Sequence, residues 1–548
     1  MRKLMIYCCI SALVSGIFTG LSFNRASASE QKLLNDILAD YAGLIREKTP
    51  RADGIHHVDT PASIQRLKEL HINTYYYLIW HEPTDWDDLR SEFVPAAEKA
   101  GINVVVYLVP PSESTGPRKS YPYLTDYLAW AKAIAELSLE HPNVIGWAID
   151  DFNHNLDFYT PEYMSQMKST AKSINPKLTF TPVMYATSLT EDFLDTRGIY
   201  IDGIILAYRD DPYRNTQVWS TEQEQIDRAS RLVKAHNLSL IWMLYASQLS
   251  NTPANPSREY VRETVQIALD NMRRGKLDGV VTYVLHKEFV PEPTDDKAFS
   301  GKGYMSFFVP SGVATNPGDA VSVTQLIRPK RTSGKYSITF RTMDEGPNAP
   351  GYHFKQVLID DAVVWEQDVA QNTTNRQWEH VALDLTPYLT GKTKAKLTFR
   401  LYEKNGVRNY FNNVGFDRIE ANGFSIENGN FEDKSSWEPS KTFPGMIGET
   451  LKYDPERRVK VFRDVKASYL TYDLYDEIIS VNIDIEIKNS LIVKIGHALD
   501  DYFAEENEKA MHNLNALSNE IYAQTGKSIP GETGNFWIST IQQLKDLY

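Results

Sequence analysis

The stretch Asn143-Val-Ile-Gly-Trp-Ala-Ile-Asp-Asp-Phe-Asn-His-Asn155 decides the fold. Val144 to Ile149 is an apolar run with β-branched residues, bounded by Pro142 on one side and two acids on the other. That pattern predicts a buried parallel strand. Asp150 and Asp151 then fall at its C-terminal end, where α/β proteins collect their chemistry, with Trp147 expected nearby. Two adjacent carboxylates there can be a helix cap with a solvated neighbour. They can also be an active pair, and the surroundings favour this second reading.

Working outward, the same unit recurs. Strand candidates are Gly54–Val58, Asn73–Trp80, Ile102–Val109, Val144–Ile149, Leu178–Met184, Ile201–Ala207, Leu238–Leu244 and Leu277–Leu285. Amphipathic helices fit between them. Eight strand–helix units predict a (β/α)8 TIM barrel over 50–298. No Gly-rich phosphate loop follows a strand, which weighs against a doubly wound sheet. Leu33, Leu34, Ile37, Leu38, Tyr41, Leu44 and Ile45 recur at helical spacing, so 29–49 is expected to be an N-terminal helix. Over 299–440 short alternating stretches separated by turn residues predict an antiparallel, jelly-roll-like β-sandwich. The remainder, 441–548, is expected to be a C-terminal helical module.

The predicted strand ends are polar and aromatic, as the working face of a barrel should be. They nominate His57, Trp80, His81, Glu82, Tyr107, Asn153, Tyr185, Tyr208, Tyr245, Tyr283 and His286 as substrate-binding residues around catalytic Asp150 and Asp151. Neighbouring strand residues face opposite sides, so about half of the strand-end residues should point away from the pocket.

Composition narrows the partners. The 548 residues are 42% hydrophobic and 24% charged, as in soluble globular proteins. A net charge of −13, spread along the chain, argues against nucleic acid. The 31 tyrosines and 10 tryptophans suit a carbohydrate partner, whose ring faces stack on aromatic planes, as well as ordinary core filling. Arg2 and Lys3, the apolar run from Leu4 to Leu21, and Ala26-Ser27-Ala28 form a signal peptide over 1–28. A secreted, bacterial product is therefore expected, with no membrane span after cleavage. Both cysteines, Cys8 and Cys9, lie in that leader, which leaves no thiol chemistry or disulfide for the rest.

Cleaving a glycosidic bond takes one acid to protonate the leaving oxygen and a second group to handle charge at the anomeric carbon. Paired carboxylates suit this, because repulsion keeps a proton on one of them. Asp150 and Asp151 can be that pair, or one of them can work with Glu82, Asp210 or Glu288. A 2-acetamido sugar offers a third route, in which its own carbonyl oxygen is the nucleophile. A metal hydrolase would draw on His56, His57, His81, His154 and His286, but no His-Glu-x-x-His helix occurs, and no metal or cofactor is expected. A barrel that binds a glycan without cleaving it is the non-enzymatic alternative.

Three segments carry a resemblance. Asn73-Thr-Tyr-Tyr-Tyr-Leu-Ile-Trp-His-Glu-Pro-Thr-Asp-Trp-Asp-Asp-Leu89, Ala148-Ile-Asp-Asp-Phe152 and Thr181-Pro-Val-Met-Tyr185 resemble the second-, fourth- and fifth-strand motifs of the family 84 glycoside hydrolases, the O-GlcNAcase and hyaluronidase-like β-N-acetylglucosaminidases. The resemblance implies substrate-assisted hydrolysis, with Asp150 orienting the acetamido group and Asp151 as acid/base. The family's second-strand lysine is missing, Ala207-Tyr208-Arg209 replaces its Trp-Thr-Gly, and Met243-Leu-Tyr-Ala-Ser247 replaces its Asp-Asn-Tyr-Pro. Its contacts to the sugar hydroxyls therefore do not carry over, and a different sugar is expected.

Overall fold

The computed structural model describes residues 34–293, 298–330, 334–346, 350–371, 376–433 and 436–548. The expected signal peptide lies outside the described residues. Eight parallel strands close into a barrel in chain order. They are β1 (Ile37–Tyr41), β2 (Thr74–Ile79), β3 (Asn103–Leu108), β4 (Val144–Ile149), β5 (Thr179–Met184), β6 (Gly203–Tyr208), β7 (Ser239–Tyr245) and β8 (Gly279–Tyr283).

The first strand corrects the sequence reading. Residues 37–41 are barrel strand, not part of an N-terminal helix, and Gly54–Val58 lies in the loop that follows. All five residues of β1 are buried. A barrel strand hides both faces, so its apolar residues lose the alternation that marks a strand. Asp40 completes the disguise. It sits fully buried on the helix-facing side, where Lys287 and the Thr282 hydroxyl bond its carboxylate and join β1 to the chain after β8. An unpaired charge there would cost several kcal/mol, about 3–5 by analogy with other broken buried pairs.

Helices cover the outside. They are α1 (Thr60–Leu70), α2 (Asp85–Asp88), α3 (Val94–Lys99), α4 (Tyr127–Glu140), α5 (Pro161–Ile174), α6 (Glu191–Arg197), α7 (Glu222–Ala235) and α8 (Arg258–Arg273). Side chains of alternating strand positions sort into two cores. Trp147, Phe180, Leu206 and Trp242 pack outward against the helices. Tyr41, Tyr76, Tyr107, Ala148, Val183, Ile205, Met243, Tyr245 and Val281 fill the interior.

After β8 the chain leaves the barrel. It builds ten strands, β9 (Gly303–Val309), β10 (Ala320–Ile327), β11 (Ser337–Glu345), β12 (His353–Ile359), β13 (Ala362–Asp368), β14 (Glu379–Asp384), β15 (Ala395–Glu403), β16 (Asn412–Asn422), β17 (Glu438–Lys441) and β18 (Ile447–Lys452). They form two five-stranded antiparallel sheets, ordered β13-β12-β15-β10-β17 and β14-β11-β16-β9-β18. One short helix, α9 (Thr386–Leu389), lies within this sandwich. The sandwich thus extends past residue 440 into the stretch expected to be helical. The chain then returns as α10 (Arg457–Ser480), which packs between α1 and α8. Val461, Phe462, Val465, Tyr469 and Tyr472 of α10 join the outer barrel core, and the Tyr469 hydroxyl bonds the Ala39 carbonyl at 3.0 Å. So α10 serves as the barrel's eighth helix, and the sandwich is an insertion in front of it. Burying five such side chains, at about 1.5–3 kcal/mol each, is comparable to a domain's whole net stability. The helices α11 (Ile485–Phe503), α12 (Asn507–Gln524) and α13 (Gly531–Lys545) share a core of their own with the outer part of α10.

Candidate active site

Strand parity sets the site. In β4, Ala148 faces the barrel interior while Trp147 and Ile149 face the helices, so Asp150 turns inward. Trp147 therefore lies away from the acids, against Phe180 at 4.4 Å. Gly146 is required one turn of the pleat earlier, since a Cβ there would meet the Thr179 hydroxyl at 2.2 Å. The Asp150 N–H still joins the ladder to Leu108. Asp151 then adopts φ 39°, ψ 37°, a left-handed conformation that Asp tolerates better than most residues. This turn keeps the second carboxylate at the mouth, and the Asp151 N–H donates to Asp150 Oδ1 at 2.9 Å.

The two carboxyls have opposite environments. Asp150 is half-buried at the mouth of the barrel. Burial, then the Asp151 charge, then Glu113 push its pKa well above the usual carboxylate range. The Tyr107 hydroxyl beside it pulls the other way without prevailing. Burial would also raise Asp151, but His154, Tyr185 and Arg209 outweigh it and hold that carboxyl below its ordinary value. Tyr185 donates to Asp151 Oδ1 at 2.5 Å, and His154 Nδ1 lies 3.3 Å from Oδ2. Arg209 stacks on the Tyr185 ring at 3.5 Å and is itself held by Asp211 at 3.0 Å. Of the two carboxyls, Asp150 is thus the one whose surroundings favour the protonated form and Asp151 the one whose surroundings favour the anion.

A ring of phenols surrounds the acids. Tyr41 lies 4.3 Å from Tyr107 and 5.1 Å from Tyr283, which lies 4.7 Å from Tyr245. Burial first, and then neighbouring acids and phenols, raise the pKa values of Tyr41, Tyr107 and Tyr283, so these hydroxyls stay neutral donors. Glu113 arrives from the loop after β3. That loop is stitched to the one after β4 by Ser112 N–H to Asn155 Oδ1 at 3.2 Å and Asn155 Nδ2 to Ser112 Oγ at 3.0 Å. Burial and the Asp151 charge raise the Glu113 carboxyl, against the pull of His154.

Of the nominated residues, Tyr107, Tyr185, Tyr245 and Tyr283 converge on Asp150 and Asp151. Asn153 bonds Ser188 across the β4 and β5 loops at 3.0 Å. Trp80 packs against the interior core, while His81 and Glu82 line a separate cavity beside it. Three residues are elsewhere. His57 is buried and clamped by Asp88 at 2.6 Å and Asp53 at 2.8 Å, because the loop containing it is not a strand. Tyr208 has the wrong parity. It faces α7, stacked on Trp242 at 5.8 Å, and bonds Asp210. His286 bonds Ser247 at 3.1 Å near the start of α10, where burial and the Arg458 and Arg457 charges push its pKa down to about 4.

Tyr41, Glu113 and Arg209 were not nominated. Tyr41 is hidden by the misread first strand and Glu113 by a Pro/Ser-rich loop. Arg209 needed only the parity that excludes Tyr208. Asp210 and Glu288 are not partners either, since Asp210 is consumed by hydrogen bonds and Glu288 is exposed. Among the described residues no group of three His, Cys, Asp or Glu is arranged to hold a metal ion, and no helix is long and apolar enough to cross a membrane.

Fold and site together define a (β/α)8 barrel with a polarised carboxyl pair at its mouth. No protein-family model and no curated protein matches the chain. Among solved structures it is similar to a β-D-glucuronidase from Dictyoglomus thermophilum, at 15% identity over 45% of this chain and 43% of that one, with a TM-score of 0.31. It is also similar to a calcium-binding mutant of Bacteroides uniformis β-glucuronidase 2, at 8% identity over 70% and 64%, TM-score 0.37. A third is a glucosidase from Croceicoccus marinus, at 10% identity over 71% and 97%, TM-score 0.32. The chain spans less than two thirds of the first two, and all three likenesses are distant.

Proposed function

We propose that this protein is an exported bacterial glycoside hydrolase acting on a 2-acetamido sugar within a glycan. The opposite tuning of Asp150 and Asp151 carries the reading. A glycosidase needs one carboxyl that keeps its proton near neutral pH and one that stays ionised. Here Asp150 is the proton donor to the leaving oxygen. Asp151 accepts the acetamido N–H, so that the acetamido oxygen attacks the anomeric carbon. The N–H loses its proton density to Asp151 as the oxazoline ring forms, and Tyr185, His154 and Arg209 hold that carboxylate in place. These roles are the reverse of those implied by the family 84 resemblance, and burial of Asp150 is the reason. The leader at 1–28 supports export.

The test is hydrolysis of an aryl 2-acetamido-2-deoxy-glucoside beside the plain aryl glucoside, with and without an acetamido-thiazoline. Turnover of the acetamido sugar alone, blocked by the thiazoline, is expected. Cleavage of the plain glucoside at equal rate would overturn substrate assistance, and the nucleophile would then be a second carboxylate. Cleavage of neither, across a panel of glycans, would overturn the enzyme.

A further inference from the structure

A cavity of about 310 Å³ opens beside the phenol ring, between the loops that follow β1 and β2. Its polar lining is Arg46, His56, His81, Glu82 and Arg118. It borders the site closely, because Ala42 in its wall is the residue after Tyr41 and Leu78 belongs to the interior core.

One buried carboxylate shapes this wall. Asp85 is fully buried and accepts the N–H groups of Trp80, His81 and Glu82 at 3.1, 2.8 and 3.1 Å, along with Arg46 Nη2 at 2.6 Å. It fixes the β2 loop and aims Arg46 in a single act. The other terminal nitrogen of Arg46 has only a long 3.4 Å bond, to the His56 carbonyl. Arg118 lies over the Trp80 ring at 5.4 Å and forms no ion pair among the described residues. His81 registers the local field. Burial lowers its pKa, Asp85 opposes this, and the Arg46 and Arg118 charges lower it further. The cavity thus sets two guanidinium groups and two imidazoles beside one lining acid, Glu82, with the Arg46 charge already paired to Asp85 and that of Arg118 left to face the space. Arg118, His81 and His56 stand exposed at the rim of this open cavity, with Arg46 half-buried below, and guanidinium donors of this kind match the oxygens of an anion.

We propose that this cavity binds an anionic substituent of the glycan, a carboxylate or a sulfate ester, with Arg118 as its main partner and Arg46 and His81 beside it. Assigning the anion to the substrate rests on the glycosidase reading, whereas the anion site itself does not.

The experiment is calorimetric titration of the purified chain with D-glucuronate, D-glucose 6-sulfate and D-glucose at low ionic strength. At least one anionic sugar is expected to bind about tenfold or more tighter than glucose, the scale of a charge-assisted hydrogen bond. The tighter of the two tells carboxylate from sulfate. Arg118→Gln should abolish the preference, and Arg90→Gln, which changes an exposed surface arginine paired with Asp87, should keep it. Equal binding of all three sugars, or a preference that survives Arg118→Gln, would overturn the proposal. Anion binding without hydrolysis of any glycoside would leave this site standing and remove the enzyme. Hydrolysis of neutral glycosides without an anion preference would do the opposite.

Discussion

The barrel carries two Asp-Asp pairs at strand ends, and they have opposite fates. Asp150-Asp151 follows β4 and Asp210-Asp211 follows β6. Each includes a residue in left-handed conformation, Asp151 in one and Asp210 in the other. Asp210 is fully buried and saturated. Its carboxylate accepts from the Tyr208 and Ser220 hydroxyls, the Asn215 amide, and both the N–H and hydroxyl of Thr221. It closes the β6 loop onto the start of α7. Asp150 faces phenols, a charged neighbour and Glu113, and burial together with those acids raises its pKa against the pull of Tyr107 and the Asp151 N–H. A carboxylate the protein satisfies builds the fold, whereas one it leaves wanting is available for chemistry.

Substitutions at the two pairs should separate these roles. Asp150→Asn and Asp151→Asn are each expected to lower turnover at least about 10²-fold, the scale of lost acid/base catalysis. Urea unfolding should show both still folded cooperatively. Retained activity in either would erase the distinction between the pairs. Asp210→Ala should do its damage elsewhere, costing about 3–5 kcal/mol of stability through stranded buried donors, read as a lower denaturant midpoint. Tyr185→Phe removes one donor from Asp151, so that carboxyl's pKa rises. The acid limb of the pH–rate profile should move to higher pH, with a rate loss of about tenfold.

The smallest effect concerns stability. Asp150 has a folded pKa above its unfolded value. Its neutral form costs nothing below the unfolded pKa of about 3.9, and the native state loses ground as pH rises from there toward the folded value. Asp150→Asn should therefore raise the thermal midpoint at neutral pH, with the gain fading as pH falls toward about 4. A gain independent of pH would show that the elevated pKa is not its source.

Seven of the eight strands were legible because long apolar runs between turn residues mark them without ambiguity. The first was not, since Asp40 breaks its run and Lys287, its partner, lies 247 residues away. The acid pair was legible from its place after Ile149, and Tyr107, Tyr185, Tyr245 and Tyr283 followed from the same logic. Tyr208 failed because strand ends reveal chemistry while only parity reveals direction. His57 failed with the misplaced first strand. The insertion of the sandwich was illegible in principle. Arg457–Ser480 carries apolar residues all round because it joins two cores, and nothing in that pattern says that one of them is the barrel's, a choice that rests on contacts such as Tyr469 to Ala39.

The two chain crossings between barrel and sandwich meet at one point. Glu292, on the way out, receives Arg457 at 2.9 Å, and its backbone bonds Pro455 and Tyr453 on the way back. The sandwich is therefore a cassette with a single doorway. Stopping the chain at residue 298 would strip the barrel of its eighth stave, while joining 293 to 454 by a short bridge would leave that stave in place. The order of the chain thus dictates how it can be cut: trimming from the end removes the eighth stave before it reaches the sandwich, whereas excising the middle spares the stave and uncovers Tyr213 and Val218, which pack against the sandwich.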